Sequence, residues 1–257
     1  MSVELSIDAG VAELRLNRPD KLNAITDAMA AQLMAHLDAA ESGGVRALML
    51  RGEGRAFSAG RDLSDVDPLT EDAREVLDRT FNPLILRVSR LAVPTFAAVQ
   101  GACLGVGLGL ALACDVVYVA DDARLGSPFA RIGAVLDSGG HAFFVERLGA
   151  HRALELIYTG RLLSGAEAAA WGLINASVPS AELTDRVRSL ARSVAQGPTA
   201  AFGESKRLVR DILDHRRGLE EVLAAEAMAQ GAASRTRDYV EGIRAFQDKR
   251  PPRFVGS

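Results

Sequence analysis

The sequence predicts an α/β fold with a helical C-terminal appendage, and three observations carry that reading. Short apolar runs of strand length alternate with helix-period segments up to residue 197. After Pro198 no strand pattern appears, and three helical segments follow one another. The chain of 257 residues, 48% hydrophobic and 25% charged, is long enough for one large core or two unequal lobes. The expected division is an α/β core over 1–197 and a helical oligomerisation region over 198–257.

Each element has a local reason. "VELSIDAGVAELRL" reads as two strands with period-two apolar positions around a turn at Asp8-Ala9-Gly10. "TDAMAAQLMAHLDAAE" is a helix with Thr26 as N-cap and Met29, Leu33 and Leu37 on one face, ended by Gly43-Gly44. "VRALMLRG" is a buried strand. A polar segment then runs towards residue 75, with Asp62 opening a polar helical stretch, and the next helix is interrupted near Asn82-Pro83. "TFAAVQG", "DVVYVA" and the short "ARLGS" are strands, and "GVGLGLALA" is a helix. "GGHAFFVERLG" and "HRALELIYTG" are two helices, and Ser164 with Glu167 forms a capping box for a helix ending near Trp171. The last helices are "AFGESKRLVRDIL", "GLEEVLAAEAMAQ" and "DYVEGIRAFQDK". Leu219, Val222, Leu223 and Met228 give this region an apolar face for the core or another subunit.

Composition excludes several classes. A net charge of −3 gives no reason to expect a nucleic-acid partner. "MSVELSIDAG" shows no basic region before an apolar stretch, so no secretory signal is expected. The least polar segment, residues 101–114, is glycine-dense and short for a membrane span, and reads as a buried core helix. Cys103 and Cys114 flank it as small buried hydrophobes of a reducing compartment, so the expected location is cytoplasmic. His36, His141, His151 and His215 have no metal-ligand spacing with a third ligand nearby, and no metal site is expected.

Two familiar motifs fail on inspection. "GVGLG" opens a helix, but a dinucleotide fingerprint would need glycine where Leu110 stands. "DSGG" occurs in trypsin-like proteases, which are all-β, and here Leu136 precedes it in place of glycine. What remains is a pair of glycine-rich turns. "RAFSAGRDL" has Ser58, Ala59 and Gly60, small enough for the main chain to approach a ligand. "QGACLGVGLGLAL" turns at Leu104 to Val106 into a helix N-terminus, where unpaired N–H groups favour negative charge. Each alone also fits an ordinary tight turn or close helix packing; converging, they would form an oxyanion hole. Asp137, in "GSPFARIGAVLDSGG", is a lone carboxylate after an apolar run. Its residue type suits both an N-cap for the following helix and an acid–base group.

"NRPDKLNAIT", "RAFSAGRDL", "VQGACLGVGLGLALACDVVYVADDARLGSP", "AAWGLINASV" and "DYVEGIRAFQDKRPPRF" together resemble the enoyl-CoA hydratase/isomerase superfamily over almost the whole chain. The resemblance implies the crotonase fold, a spiral of repeated ββα units with a C-terminal trimerisation region. It implies an acyl-CoA thioester as ligand, coenzyme A being part of the substrate and no separate cofactor being needed. It also implies a homotrimer or a dimer of trimers, with no membrane partner. The N–H groups of Ala59 and Val106 are expected to hold the thioester oxygen. Contacts to the coenzyme A portion are expected at Lys21, Leu22, Ala24, Ser58, Ala59, Gly60, Arg61, Asp62, Leu63 and Phe129.

The chain departs from the hydratase pattern. Hydratases of this family carry a glutamate in the glycine-rich helix and another in a loop beyond it, where this sequence has Gly109 and Phe129. Neither can transfer a proton. Some family members place a functional carboxylate eight residues beyond the second position, where Asp137 stands. "PFARIGAVLDSGG" most resembles the phenylacetate-pathway branch, whose members isomerise ring-epoxidised phenylacetyl-CoA or shift double bonds. One carboxylate is enough for a 1,3-proton shift through an enolate held by the oxyanion hole. An apolar wall of Phe129, Ile132, Val135 and Leu136 would raise the basicity of Asp137, while the N-terminus of the following helix would act the other way, and the sequence leaves the balance open. The alternatives are a hydratase-like or nucleophilic acyl-CoA enzyme (dehalogenase or thioesterase), and a catalytically silent acyl-CoA-binding protein.

Overall fold

Two sheets organise the α/β part of the chain in the computed structural model, which describes residues 2–64 and 66–257. The larger has the order β1 (Val3–Asp8), β2 (Val11–Leu16), β3 (Ala47–Gly52), β4 (Thr95–Val99), β6 (Val116–Ala120), β9 (Ala176–Val178). The smaller has the order β5 (Ala102–Leu104), β7 (Arg124–Gly126), β8 (Leu163–Ser164). β1 and β2 form the predicted hairpin, with Ala9 at φ 49° and Gly10 at φ 78°, the handedness that a tight hairpin turn needs. Within the larger sheet β2, β3, β4, β6 and β9 pair in parallel, and every residue of β4 is buried, as expected of a covered parallel strand.

Each central strand is followed by a short excursion into the smaller sheet. β4 leads to β5 and then to α4 (Val106–Ala113), and β6 leads to β7. After β3, Ser58 makes the same excursion by bridging Cys103. This repetition is the predicted spiral of ββα units, and it brings the chain after Ser58, after β5 and after β7 to one side of the smaller sheet.

The helices follow their local signals. α1 (Asp27–Ser42) is capped by Thr26, whose side chain accepts the Met29 N–H, an arrangement worth about 1 kcal/mol. The predicted interruption at Asn82-Pro83 is a π-helical turn, Leu77–Phe81, between α2 (Ala73–Val76) and α3 (Asn82–Ser89). All of α4 is buried, and the free thiols beside it are buried too; burial pushes the Cys114 thiol up to about 12. α5 (Gly140–Thr159) breaks at Gly149, with φ 76° and ψ 167°, so the two expected helices are the halves of one kinked rod. Ser164 and Glu167 make the predicted capping box on α6 (Gly165–Ala170). The sequence reading assigns no element to α7 (Ser180–Ala195). It buries Leu183, Val187, Ala191 and Ala195 and lies against β3, β4 and β6.

Beyond it come α8 (Thr199–His215), α9 (Leu219–Ala233) and α10 (Arg237–Gln247). Lys206 of α8 ties this region to the sheet: its Nζ lies 2.8 Å from Asp115 and donates to the Val93 carbonyl at 3.1 Å. α8 fully buries no residue, and Leu219, Leu223 and Met228 are exposed. Among the described residues, no helix is long and apolar enough to cross a membrane.

Candidate active site

The first glycine-rich turn rests on a buried polar platform. Leu22 and Asn23 both adopt left-handed conformations, φ 50° and 54°. The Asn23 side chain is fully buried and satisfied: Oδ1 accepts the Arg18 N–H at 2.8 Å, and Nδ2 donates to the carbonyls of Glu53 at 2.9 Å and Ala56 at 2.8 Å. The Ser58 hydroxyl donates to the Asn23 carbonyl at 2.9 Å and accepts the Gly60 N–H at 3.2 Å. Arg18 donates to the Ala24 carbonyl at 2.8 Å and to Asp62 at 2.9 Å. The hydroxyl and N–H of Ser64, together with Arg18, hold the Asp62 carboxyl down at about 2. Asp62 therefore closes a tight polar turn and does not open a helix; the chain becomes helical only at Ala73.

Strand pairing decides which amides of this turn are free. Ile25 bridges Arg61 in parallel, its N–H donating to the Gly60 carbonyl at 2.8 Å and its carbonyl accepting the Asp62 N–H at 2.9 Å. That pattern uses the groups on either side of Arg61 and turns the Arg61 N–H outward. The Arg61 N–H has no acceptor among the described residues. The Ala59 N–H, by contrast, donates to the Leu22 carbonyl at 2.9 Å. The expected donor at Ala59 is thus spent on the fold, and the free amide lies two residues further on. Val106 is the first residue of α4, and its N–H is likewise without an acceptor among the described residues.

The two turns meet. A Cβ on Gly60, at φ 96°, would stand 3.0 Å from the Leu104 carbonyl oxygen and 3.8 Å from Gly105 Cα. Gly105, at φ 51°, immediately precedes Val106, and a Cβ there would stand 3.4 Å from the Phe129 ring. Only glycine allows this approach from both sides. The parallel pairing of β5 with β7, Leu104 opposite Gly126, delivers the segment that carries Phe129 and Asp137 to the same place.

Asp137 is half-buried, and its neighbour Ser138 is buried with φ 53°. A Cβ on Gly109 would stand 2.7 Å from the Ser138 Cβ and 3.1 Å from Ile85 Cδ1. The volume in which a side chain at 109 would stand is therefore filled by Ser138. The Ser138 hydroxyl donates to Asp137 Oδ1 at 2.8 Å. Burial raises the Asp137 pKa above the ordinary aspartate value, against the Ser138 hydrogen bond and the positive charge of Arg61. The Arg61 side chain is gripped by Glu71 through two hydrogen bonds of 2.6 Å and lies over the Phe81 ring, 5.8 Å from its centroid.

Two expectations about Asp137 change. Its side chain does not cap α5: the N-cap is Gly139, with no side-chain cap, and the helix start donates to Asp137 only at its backbone carbonyl, from Gly140 at 2.9 Å. The expected apolar wall is incomplete, since Ile132 and Val135 are 64% and 78% exposed and cannot desolvate the carboxyl, while Leu136 is buried. Of the other expected contact residues, Ser58 is buried, Leu22, Ala24 and Phe129 are half-buried, and Lys21 and Leu63 are exposed. The sequence reading missed the Arg61 amide, Glu71 and Ser138. The nearest local signal was the position of Arg61, directly after a glycine that adopts positive φ.

Two free amides, a close-approach glycine pair and one partly desolvated carboxylate make this the candidate site, of a composition suited to chemistry beside a carbonyl. Comparisons with known proteins agree with that class. A profile of enoyl-CoA hydratase/isomerase matches residues 6–257. The chain is 37% identical to a probable enoyl-CoA hydratase of Rhodobacter capsulatus, covering 99% of this chain and 98% of that protein. It is also 37% identical to the 1,2-epoxyphenylacetyl-CoA isomerase of Escherichia coli, covering 97% of each. Among solved structures, an enoyl-CoA hydratase/isomerase of Mycobacterium abscessus matches with a TM-score of 0.92 and 35% identity, covering 99% of this chain and 100% of that one. The chain belongs to the enoyl-CoA hydratase/isomerase family, which acts on acyl-CoA thioesters.

Proposed function

We propose that the protein is an acyl-CoA isomerase that moves a proton along the acyl chain of a coenzyme A thioester. The observation that carries the reading is the single carboxylate of Asp137 beside two free amides, with glycine and phenylalanine at both hydratase glutamate positions. The thioester oxygen lies between the N–H groups of Arg61 and Val106. Asp137 removes a proton from one acyl carbon, and charge moves onto the thioester oxygen, where the two amides stabilise the enolate. The same carboxyl returns the proton to a second carbon. The reaction changes no oxidation state, so it calls for no redox cofactor. Adding water would need a second group to activate it, and the hydratase positions supply none.

The raised pKa of Asp137 supports this role, since a stronger base abstracts a proton from carbon more readily. The CoA moiety lies along Leu22, Ala24 and residues 60–63. The protein works in the cytoplasm as a homotrimer or a dimer of trimers, its contacts made by the exposed apolar residues of α8 to α10; light scattering that returns a monomer at micromolar concentration contradicts the assembly. The reaction is tested by incubating the enzyme in heavy water with a panel of 2-enoyl, 3-enoyl and ring-epoxidised phenylacetyl-CoA esters, followed by mass spectrometry. Isomerisation gives a product of unchanged composition apart from exchanged deuterium. A product heavier by one water, or free acid, contradicts it.

A further inference from the structure

Ser138 stands at a backbone position that serine rarely takes. Asp137 to Gly140 form a turn closed by the Gly140 N–H on the Asp137 carbonyl at 2.9 Å, with Ser138 at φ 53° and Gly139 at φ 80°. Two central residues at positive φ are the pattern of a type I′ turn, which favours glycine, asparagine or aspartate. The turn is clamped from outside. The Ser138 carbonyl oxygen and Cβ lie 2.4 Å and 2.7 Å from where a Cβ on Gly109 would stand, and Ile85 Cδ1 closes the same spot at 3.1 Å. Ser138 is accordingly buried, although it is polar. Over glycine, serine adds a hydroxyl, and among the described residues that hydroxyl has one hydrogen bond, to Asp137 Oδ1 at 2.8 Å. Asp137 Oδ2 has no partner among the described residues.

We propose that Ser138 is a positioning residue whose hydroxyl, fixed by the packing of its turn on Gly109, holds Oδ1 of Asp137 and leaves Oδ2 to carry the proton. The inference deepens the reading of Asp137 as the base and rests on it. In the first half of the reaction a C–H bond breaks, its electron pair enters the enolate and the proton goes to Oδ2. In the second half the Oδ2–H bond breaks and a C–H bond forms at the other carbon. Oδ1 is an acceptor in both protonation states, so the hydroxyl keeps its partner throughout and the carboxyl plane keeps its orientation. Because the hydroxyl donates, it also favours the ionised form against the burial of the carboxyl. The charge that bears on Asp137 is Arg61, from the loop after β3, and it is common to the wild type and the variants below. α4 carries no titratable side chain, Ile85 of α3 is apolar, and Arg131 and His141 are exposed.

Two substitutions remove the hydroxyl with different effects on the fold. Ser138→Gly relieves the positive φ and leaves a gap beside Gly109; Ser138→Ala keeps both the strain and the Cβ contact. Their thermal midpoints should therefore differ. Both should lower kcat by about 10- to 100-fold with KM little changed, as the base loses its fixed orientation. Both should also move the Asp137 titration, and with it the limb of kcat/KM that rises with pH, to higher pH. The titration is read from the Asp137 carboxyl resonance in 13C-aspartate-labelled protein, assigned by its loss in Asp137→Asn. Matching kinetic defects and upward shifts in two variants of unequal stability support the inference. Wild-type kcat with an unmoved titration in either folded variant overturns it, as do defects that follow the thermal midpoints. If Ser138→Ala does not fold, Ser138→Gly alone decides. A titration that moves without the kcat/KM profile shows that the hydroxyl holds the carboxyl but refutes Asp137 as the base, and the positioning role falls with it.

Discussion

Ser138 fills the space in which any side chain at Gly109 would have to stand, with its Cβ 2.7 Å from the position that a Cβ on Gly109 would take. A glutamate at 109 therefore has no room to point into the site. Gly109→Glu should lower stability by at least about 1–3 kcal/mol through overpacking, and it should not create hydratase activity even when combined with Phe129→Glu. Thermal unfolding and a hydration assay on a 2-enoyl-CoA check both parts. A stable double variant that hydrates would contradict the packing argument.

Asp137→Asn should abolish isomerisation by at least about 10²-fold while leaving the fold and acyl-CoA binding intact. The structure makes this a clean test, because the carboxyl caps no helix and the backbone hydrogen bond from Gly140 survives the change. Turnover and solvent-deuterium exchange, measured beside a CoA-ester binding titration, separate the possibilities. A folded variant with wild-type turnover sinks the assignment.

The same substitution should stabilise the protein at neutral pH. Because burial raises the folded-state pKa of Asp137 above its unfolded value, ionising it weakens the folded state. That penalty is absent below the unfolded pKa and develops as pH rises through the folded one. The stability gain of Asp137→Asn over wild type should therefore be present at pH 7 and shrink towards zero in acid. Urea unfolding at several pH values reads the trend, and a gain that grows in acid would reverse the sign of the argument.

Val106→Pro removes the N–H that the proposed function gives to the thioester oxygen, at a place where the helix tolerates proline. Val106 is the first helical residue, and the preceding Gly105 has no Cβ to clash with the ring. Activity should fall by about 10²–10³-fold with the helix retained. Circular dichroism establishes the fold, and unchanged kcat in the folded variant removes Val106 from the mechanism.

Asp62→Asn tests the platform. The depressed carboxyl stabilises the fold above the ordinary aspartate value of 3.8, and that contribution fades as pH falls towards about 2. The variant should lose about 1–2 kcal/mol at pH 7 and match wild type more closely near pH 2. Equal losses at both pH values would show that the ionised carboxylate is not the stabilising form.

The sequence carried what is decided locally. Thr26, the Ser164–Glu167 pair and the Asn82-Pro83 junction each act within a turn of chain, and each is found where its chemistry predicts. α7 was legible in principle, since Leu183, Val187 and Ala191 recur at four-residue spacing. The site was legible as residue types and misread in direction. Whether Ala59 or Arg61 presents a free amide depends on pairing with Leu22 and Ile25, more than thirty residues away. The shift from a side-chain cap to a free carboxylate at Asp137 depends on the backbone of Ser138 and Gly139, both at positive φ. The exposure of Ile132 and Val135 depends on how the loop after β7 leaves the smaller sheet, which their apolar character does not reveal.

The satisfied amide of Asn23 also bears on the thermodynamics of ligand capture. Every polar group of that side chain is engaged within the protein, Arg18 is bonded to Asp62, and Ser58 is bonded to the Asn23 carbonyl before any thioester arrives. The main chain to which the proposed function gives the ligand is therefore ordered at the time of folding. Its entropy is lost once per folding event and not once per turnover, so more of the contact energy with the CoA ester remains as affinity. A platform of this kind can release product and accept the next molecule without rebuilding the surface that recognises it.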